Sequence, residues 1–131
     1  MEKVTIRTLM EKKTKHQKIT WLTAYDYPTA RLEEKAGIDI ILVGDSIGMT
    51  IFGYKSTLPV TMDLLVPHTA AVRRGAPNVF LIGDMPYMTY QISVQEAIRH
   101  AGRFMAECDC DAVKLEGGRE MLDVIKGLIK A

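Results

Sequence analysis

The sequence predicts a parallel α/β fold. Short, β-branched apolar runs recur along the chain, each ends at a carboxylate, and a helical pattern follows each one. The runs are Ile19-Thr-Trp-Leu-Thr-Ala-Tyr25, ending at Asp26; Ile38-Asp-Ile-Ile-Leu-Val-Gly-Asp45; Val79-Phe-Leu-Ile-Gly-Asp84; and Ala112-Val-Lys-Leu-Glu116. Strands that alternate with helices form βαβ units with right-handed crossovers.

The elements follow in order. A leading helix is expected over residues 6–13, ahead of the first run. After that run, Pro28 and Gly37 bracket a helix over 29–36, proline inside the start and glycine past the end. The second run leads into a long connection, residues 46–60, holding Gly48, Gly53 and Pro59; connections of that length tend to be functional. Residues 60–74 read as helix, with Pro67 kinking it or marking a later start. Past the third run, Ser93-Val-Gln-Glu96 is a capping box opening a helix through about Glu107. After the fourth, Met121, Leu122, Ile125 and Leu128/Ile129 make an apolar stripe over 119–129. Four units do not close a (β/α)8 barrel, which takes roughly 250 residues. Residues 1–131 are therefore expected to be the N-terminal half of one such domain.

Composition excludes several function classes. Of 131 residues, 47% are hydrophobic and 25% charged, with 17 basic against 16 acidic side chains. The balance holds locally: residues 1–66 carry 9 basic and 8 acidic groups, residues 67–131 carry 8 and 8. No basic surface for nucleic acid and no acidic tail is expected. No apolar run approaches the ~18 residues of a membrane span, and Met1-Glu-Lys-Val does not begin a signal peptide. Cys108 and Cys110 are too few and too close for a disulfide framework. The expectation is a soluble, reduced, cytoplasmic protein.

In parallel α/β folds ligands sit beyond the carboxyl ends of the strands. Asp45, Asp84 and Glu116 end three different runs there, so residues far apart in sequence can meet. Three hard oxygen ligands without histidine or cysteine fit Mg²⁺ better than zinc. Gly44 and Gly83 precede the two aspartates and leave the backbone open to approach. Lys114, two residues before Glu116, faces the same side and suits an anionic substrate such as a carboxylate.

The stretches Leu22-Thr-Ala-Tyr-Asp26, Val43-Gly-Asp-Ser-Ile-Gly48, Gly83-Asp-Met-Pro86 and Val113-Lys-Leu-Glu-Gly-Gly118 resemble the ketopantoate hydroxymethyltransferase family, over essentially the whole chain. The resemblance implies a (β/α)8 barrel that transfers a hydroxymethyl group from 5,10-methylenetetrahydrofolate to 3-methyl-2-oxobutanoate, giving 2-dehydropantoate in pantothenate biosynthesis. It implies Asp45, Asp84 and Glu116 as the Mg²⁺ site, and Asp45, Ser46, Asp84 and Lys114 as keto-acid contacts. The metal would draw charge from the ketone and stabilise the enolate left when C3 loses its proton. The family's general base, a glutamate on a later strand, lies beyond residue 131, so no catalytic base is expected among these residues. The resemblance also implies a homo-oligomer, a decamer in bacterial members.

Other residues read more plainly. His68 and His100 lie in helical patterns without ligand partners at metal spacing, His16 in a polar stretch, and Cys108-Asp-Cys110 lacks a second ligand pair. Met10, Met105 and Met121 read as core, while Met85 and Met88 are placed to line a pocket. Lys12, Lys13, Lys15 and Lys18 read as a solvated helix end, and Lys55, in the long connection, is a candidate to meet a folate glutamate tail. Two alternatives stand beside the enzyme. One is a truncated, catalytically incompetent product. The other is a Mg²⁺-binding response-regulator receiver, which needs paired acids after its first strand and a lysine after a fifth; here Tyr25-Asp26 follows the first, Lys114 lies in the fourth, and no fifth is present.

Overall fold

The four runs become parallel strands paired in chain order: β1 (Trp21–Thr23), β2 (Ile40–Val43), β3 (Phe80–Asp84) and β4 (Ala112–Lys114). This is a computed structural model, and it describes residues 2–131. Register pairs Trp21 with Ile40, Ile40 with Phe80, Ile82 with Ala112 and Asp84 with Lys114. The inner strands β2 and β3 are almost wholly buried, β4 is half-buried, and all three residues of β1 are exposed.

Helices follow the strands as expected: α1 (Ile6–Thr14), α2 (Tyr27–Lys35), α3 (Ile47–Thr50), α4 (Met62–Gly75), α5 (Val94–Cys108) and, after a 3-10 turn, α6 (Leu122–Lys130). Helices α2, α4, α5 and α6 pack side by side, α2 on α4, α4 on α5 and α5 on α6. The alternation of each strand supplies two cores. Ile41, Val43 and Leu81 join Ala30, Leu65, Val72 and Phe104 of the helices. Ile40, Phe80 and Ile82 face the other way, toward Leu9 of α1. That second face is the interior of a half barrel, and α1 covers its lower end.

Caps explain most boundaries. The Thr5 and Asp26 side chains accept from the amides of Thr8 and Thr29, and Thr61 and Ser93 do the same for Leu64 and Glu96. Gly37 (φ 82°) and Asp109 (φ 52°) take the left-handed conformation that ends α2 and α5.

Several expectations are corrected. The connection after β2 is not all loop, since α3 forms inside it. Pro67 does not delay α4, which starts at Met62 and runs through it; it stands on the exposed face, where water can satisfy the carbonyl freed by its missing N–H. Ser93 caps α5, but Glu96 pairs with Arg99 (3.6 Å) instead of closing a capping box. The reciprocal box is at Thr5 and Thr8. Met10 and Met105 are exposed, because α1 turns only Leu9 fully inward and Met105 faces an open groove. That groove, about 960 Å³, runs along the free side of β4 between α5 and α6 and is lined by Ile98, Met105, Val113, Ile125 and Leu128.

Candidate functional site

The carboxyl edge of the sheet gathers Asp84, Lys114 and Glu116. Asp84 closes β3, and Lys114, its register partner, closes β4, so both project to the interior face. The Lys114 ammonium donates to Asp84 Oδ1 (2.9 Å) and, in a very short contact, to Glu116 Oε1. Backbone bonds fix this corner: the Met85 amide donates to the Lys114 carbonyl (2.9 Å), and the Glu116 amide to the buried Tyr90 hydroxyl (3.2 Å).

Asp45 and Ser46 follow β2 and open α3. Between strand and helix stands Gly44, where a Cβ would lie 3.0 Å from Asp84 Oδ2 and 3.4 Å from Ser46 Oγ. The missing side chain therefore lets the Ser46 hydroxyl and the Asp84 carboxylate share one small space. Ser46 Oγ is also 2.7 Å from the Tyr25 hydroxyl.

Asp84 is 5% exposed, and burial pushes its pKa up. Its bond to Lys114 works the other way, the negative charges of Asp45 and Glu116 add to the rise, and the net shift is upward. Lys114 shows the complement. Burial works against its ammonium, but the bonds to Glu116 and Asp84 outweigh it and hold the pKa above the ordinary lysine value. A fixed cation thus sits among three acids, one of them desolvated.

The structure thus brings Asp84, Lys114 and Glu116 into direct contact and sets Ser46 and Asp45 beside them. Among the described residues it does not gather three His, Cys, Asp or Glu side chains into a closed ligand cluster. The Lys114 ammonium stands between Asp84 and Glu116. The donors nonetheless fit a hard divalent cation: all are carboxylate oxygens, and Gly44 leaves Asp84 Oδ2 open while Oδ1 takes Lys114.

Asp26 differs from the other strand-end acids, since it is spent capping α2 at 2.8 Å. His68 and His100 are helix-packing residues: each places Nδ1 against a carbonyl, His68 on Tyr25 (2.6 Å) and His100 on Thr89 (2.8 Å). A carbonyl only accepts, so both nitrogens carry hydrogen. Cys108 and Cys110 are free, buried thiols, with Cys108 donating to the Val66 carbonyl. Met85 is buried, Met88 exposed. Lys12 is no solvated helix end, because it binds the buried Asp39 carboxylate. Sequence reasoning missed Tyr25 and Tyr90 as supports. Tyr25 lies inside the Leu22-Thr-Ala-Tyr-Asp26 motif, which marked it; Tyr90 carried no local sign.

Comparison with known proteins gives a family and a fold. The ketopantoate hydroxymethyltransferase family model matches residues 3–131. The 3-methyl-2-oxobutanoate hydroxymethyltransferase of Staphylothermus marinus is 51% identical over 131 residues, 100% of this chain and 48% of that protein. Its counterpart from Koribacter versatilis is 54% identical over 129 residues, 98% and 44% of the two. The chain spans about half the length of the curated relatives it matches. Among solved structures, a phosphonopyruvate hydrolase complexed with oxalate and Mg++ superposes with a TM-score of 0.71 at 16% identity, over 98% of this chain and 46% of that one. A 2,3-dimethylmalate lyase of the PEP mutase/isocitrate lyase superfamily gives 0.66 at 14%, over 86% and 43%. These likenesses carry the fold, a (β/α)8 barrel of which this chain supplies the leading helix and four βα units.

Proposed function

The chain belongs to the ketopantoate hydroxymethyltransferase family, and from that premise we propose that it carries the keto-acid and metal face of a hydroxymethyltransferase active site. Residues 1–131 are then the N-terminal half of a single (β/α)8 barrel domain. The reaction moves a hydroxymethyl group from 5,10-methylenetetrahydrofolate to 3-methyl-2-oxobutanoate, giving 2-dehydropantoate for pantothenate biosynthesis in the cytoplasm. The observation that supports it most is the Lys114 ammonium held on the interior face between Asp84 and Glu116.

Each residue has a part. Lys114, kept charged by its two acids, binds the carboxylate of the keto acid, and Ser46 donates a hydrogen bond to the same ligand. Asp45, Asp84 and Glu116 would hold Mg²⁺, and their oxygen-only chemistry suits it. A bound Mg²⁺ supplies Lewis acidity toward the ketone, lowering the energy needed to remove the C3 proton. That proton needs a base, and the resembled family keeps it on a later strand. The interior apolar face, with Ile40, Phe80 and Ile82 beneath the site, excludes water from below. A phosphonopyruvate hydrolase of the same fold was solved with oxalate and Mg++, which supports pairing a small carboxylic acid with a divalent cation here. The partners proposed are the keto acid, the folate and further copies in a homo-oligomer, with neither nucleic acid nor membrane; among the described residues no helix is long and apolar enough to cross a membrane.

The test is a titration of 3-methyl-2-oxobutanoate with and without Mg²⁺, paired with NMR of deuterium exchange at C3. Tighter binding in Mg²⁺, lost in Asp84→Ala, is the expected result. Equal affinity under both conditions would overturn the reading.

A further inference from the structure

Ser46 sits where helix caps sit, yet it does not cap. It is the residue before α3, and its hydroxyl makes no bond to the amides of that helix. Serine at this position ordinarily accepts from the amide two or three residues on. Here the hydroxyl turns back across the sheet edge to the Tyr25 hydroxyl, 2.7 Å away.

Tyr25 is pinned on every side. The preceding residue, Ala24, is buried and donates its amide to the Leu42 carbonyl of β2 (3.3 Å). The following residue, Asp26, caps α2. The Tyr25 carbonyl accepts from His68 Nδ1 of α4 (2.6 Å), and the His68 ring is held edge-on by Phe52 with centroids 5.9 Å apart. Three elements thus fix one phenol whose own hydroxyl reaches only to Ser46 among the described residues.

We infer that Tyr25 is a positioning residue that orients the Ser46 hydroxyl toward the anionic ligand. The inference rests on the keto-acid reading and adds a residue to it. Of the two hydroxyls the phenol is the better donor, so in this arrangement Tyr25 donates and Ser46 Oγ accepts. The single Ser46 proton is then free to point elsewhere. The Ser46 hydroxyl lies near Asp84 beside Gly44, at the rim of the space where a keto acid held by Lys114, with the cation on Asp84 Oδ2, would come to rest. Without the phenol, Ser46 would regain its rotational freedom, and its donor would no longer be held ready.

The experiment is an NMR titration of the 131-residue chain with 3-methyl-2-oxobutanoate in Mg²⁺, and with Mg²⁺ alone. It compares the unsubstituted chain, Tyr25→Phe, Ser46→Ala and the double variant. Tyr25→Phe is expected to weaken keto-acid binding about tenfold, the scale of one hydrogen bond to a charged group. In the Ser46→Ala background the same change is expected to have almost no effect, because a residue that acts through Ser46 has nothing left to orient. Mg²⁺ binding without keto acid should not change. An equal loss in both backgrounds, no loss in either, or a parallel loss of Mg²⁺ binding would each overturn the role of Tyr25 while leaving the keto-acid reading intact. An unsubstituted chain that binds no keto acid would overturn that reading, and this inference with it.

Discussion

The two ends of the sheet treat their acids in opposite ways. At the amino ends, Asp39 and Asp111 stand one residue before β2 and β4 and are saturated with donors. Asp39 takes Lys12 on one oxygen and both the amide (2.9 Å) and the hydroxyl (3.0 Å) of Thr20 on the other. Asp111 Oδ2 alone receives Lys3 (2.9 Å), Arg73 (2.6 Å) and the Leu81 amide (2.8 Å). Burial works against both charges, but the donors outweigh it and both pKa values fall below the ordinary aspartate range. At the carboxyl ends Asp84 is buried with a single ammonium on Oδ1, and its pKa rises. The lower acids tie α1 and α4 to the strands. The upper acid is left short of donors, as expected where a ligand completes the set.

The largest effect expected concerns the open half of the upper end. The 131-residue chain alone should form 2-dehydropantoate at least about 10²–10⁴-fold more slowly than a complete barrel, the contribution of a positioned base. Product assays with methylenetetrahydrofolate check this, and rapid turnover would mean that the base already stands among these residues.

Removing one acid from each end should separate stability from binding. Asp111→Ala takes from the buried Arg73 its close carboxylate, leaving only the exposed Asp109 at 3.8 Å, and should cost about 3–5 kcal/mol in urea unfolding. Asp84→Asn should instead leave stability unchanged or raise it by about 0.5–1 kcal/mol while abolishing Mg²⁺-dependent keto-acid binding. Matching stability losses at the two positions would erase the contrast.

Acid titration probes the lower end directly. Because their donors hold the folded pKa values of Asp39 and Asp111 below the ordinary aspartate value of 3.8, their contribution is present above that pH. It is lost as pH falls through the lowered values. Urea midpoints measured from pH 6 downward should drop through this window. In an Asp39→Asn, Asp111→Asn chain the drop should be shallower.

Two glycines give a finer version of the contrast. A Cβ on Gly83 would lie 2.5 Å from the buried Phe104 ring, so Gly83→Ala should cost about 1–3 kcal/mol through overpacking. Gly44→Ala meets Asp84 Oδ2 at 3.0 Å and Ser46 Oγ at 3.4 Å, and should weaken the keto acid more than it changes the melting midpoint. Melting curves beside titrations decide between the two patterns.

What was legible in the sequence follows the range of the forces involved. Caps and alternation act within a few residues, so Pro28, Gly37 and Ser93 announced their helices, and Asp45, Asp84 and Glu116 announced the strand ends. The short helix α3 escaped notice because its four residues are too few to show a periodic stripe. The lower locks join residues 27 and 108 positions apart, Lys12 with Asp39 and Lys3 with Asp111. In the sequence Asp39 is absorbed into an apolar run, Asp111 stands just ahead of one, and Lys12 falls in a basic cluster. Met10 and Met105 read as core because a helical stripe records periodicity but not which neighbours the fold leaves out.

The exposure of β1 has an optical consequence. Trp21 is the chain's single tryptophan; it lies on that edge strand, 49% exposed, with Ile40 as its register partner. Any strand laid against β1 would strip water from the indole, shifting its emission to shorter wavelength and shielding it from iodide. The chain therefore carries a built-in fluorophore at its seam, one that reports docking of whatever closes the barrel without any added label.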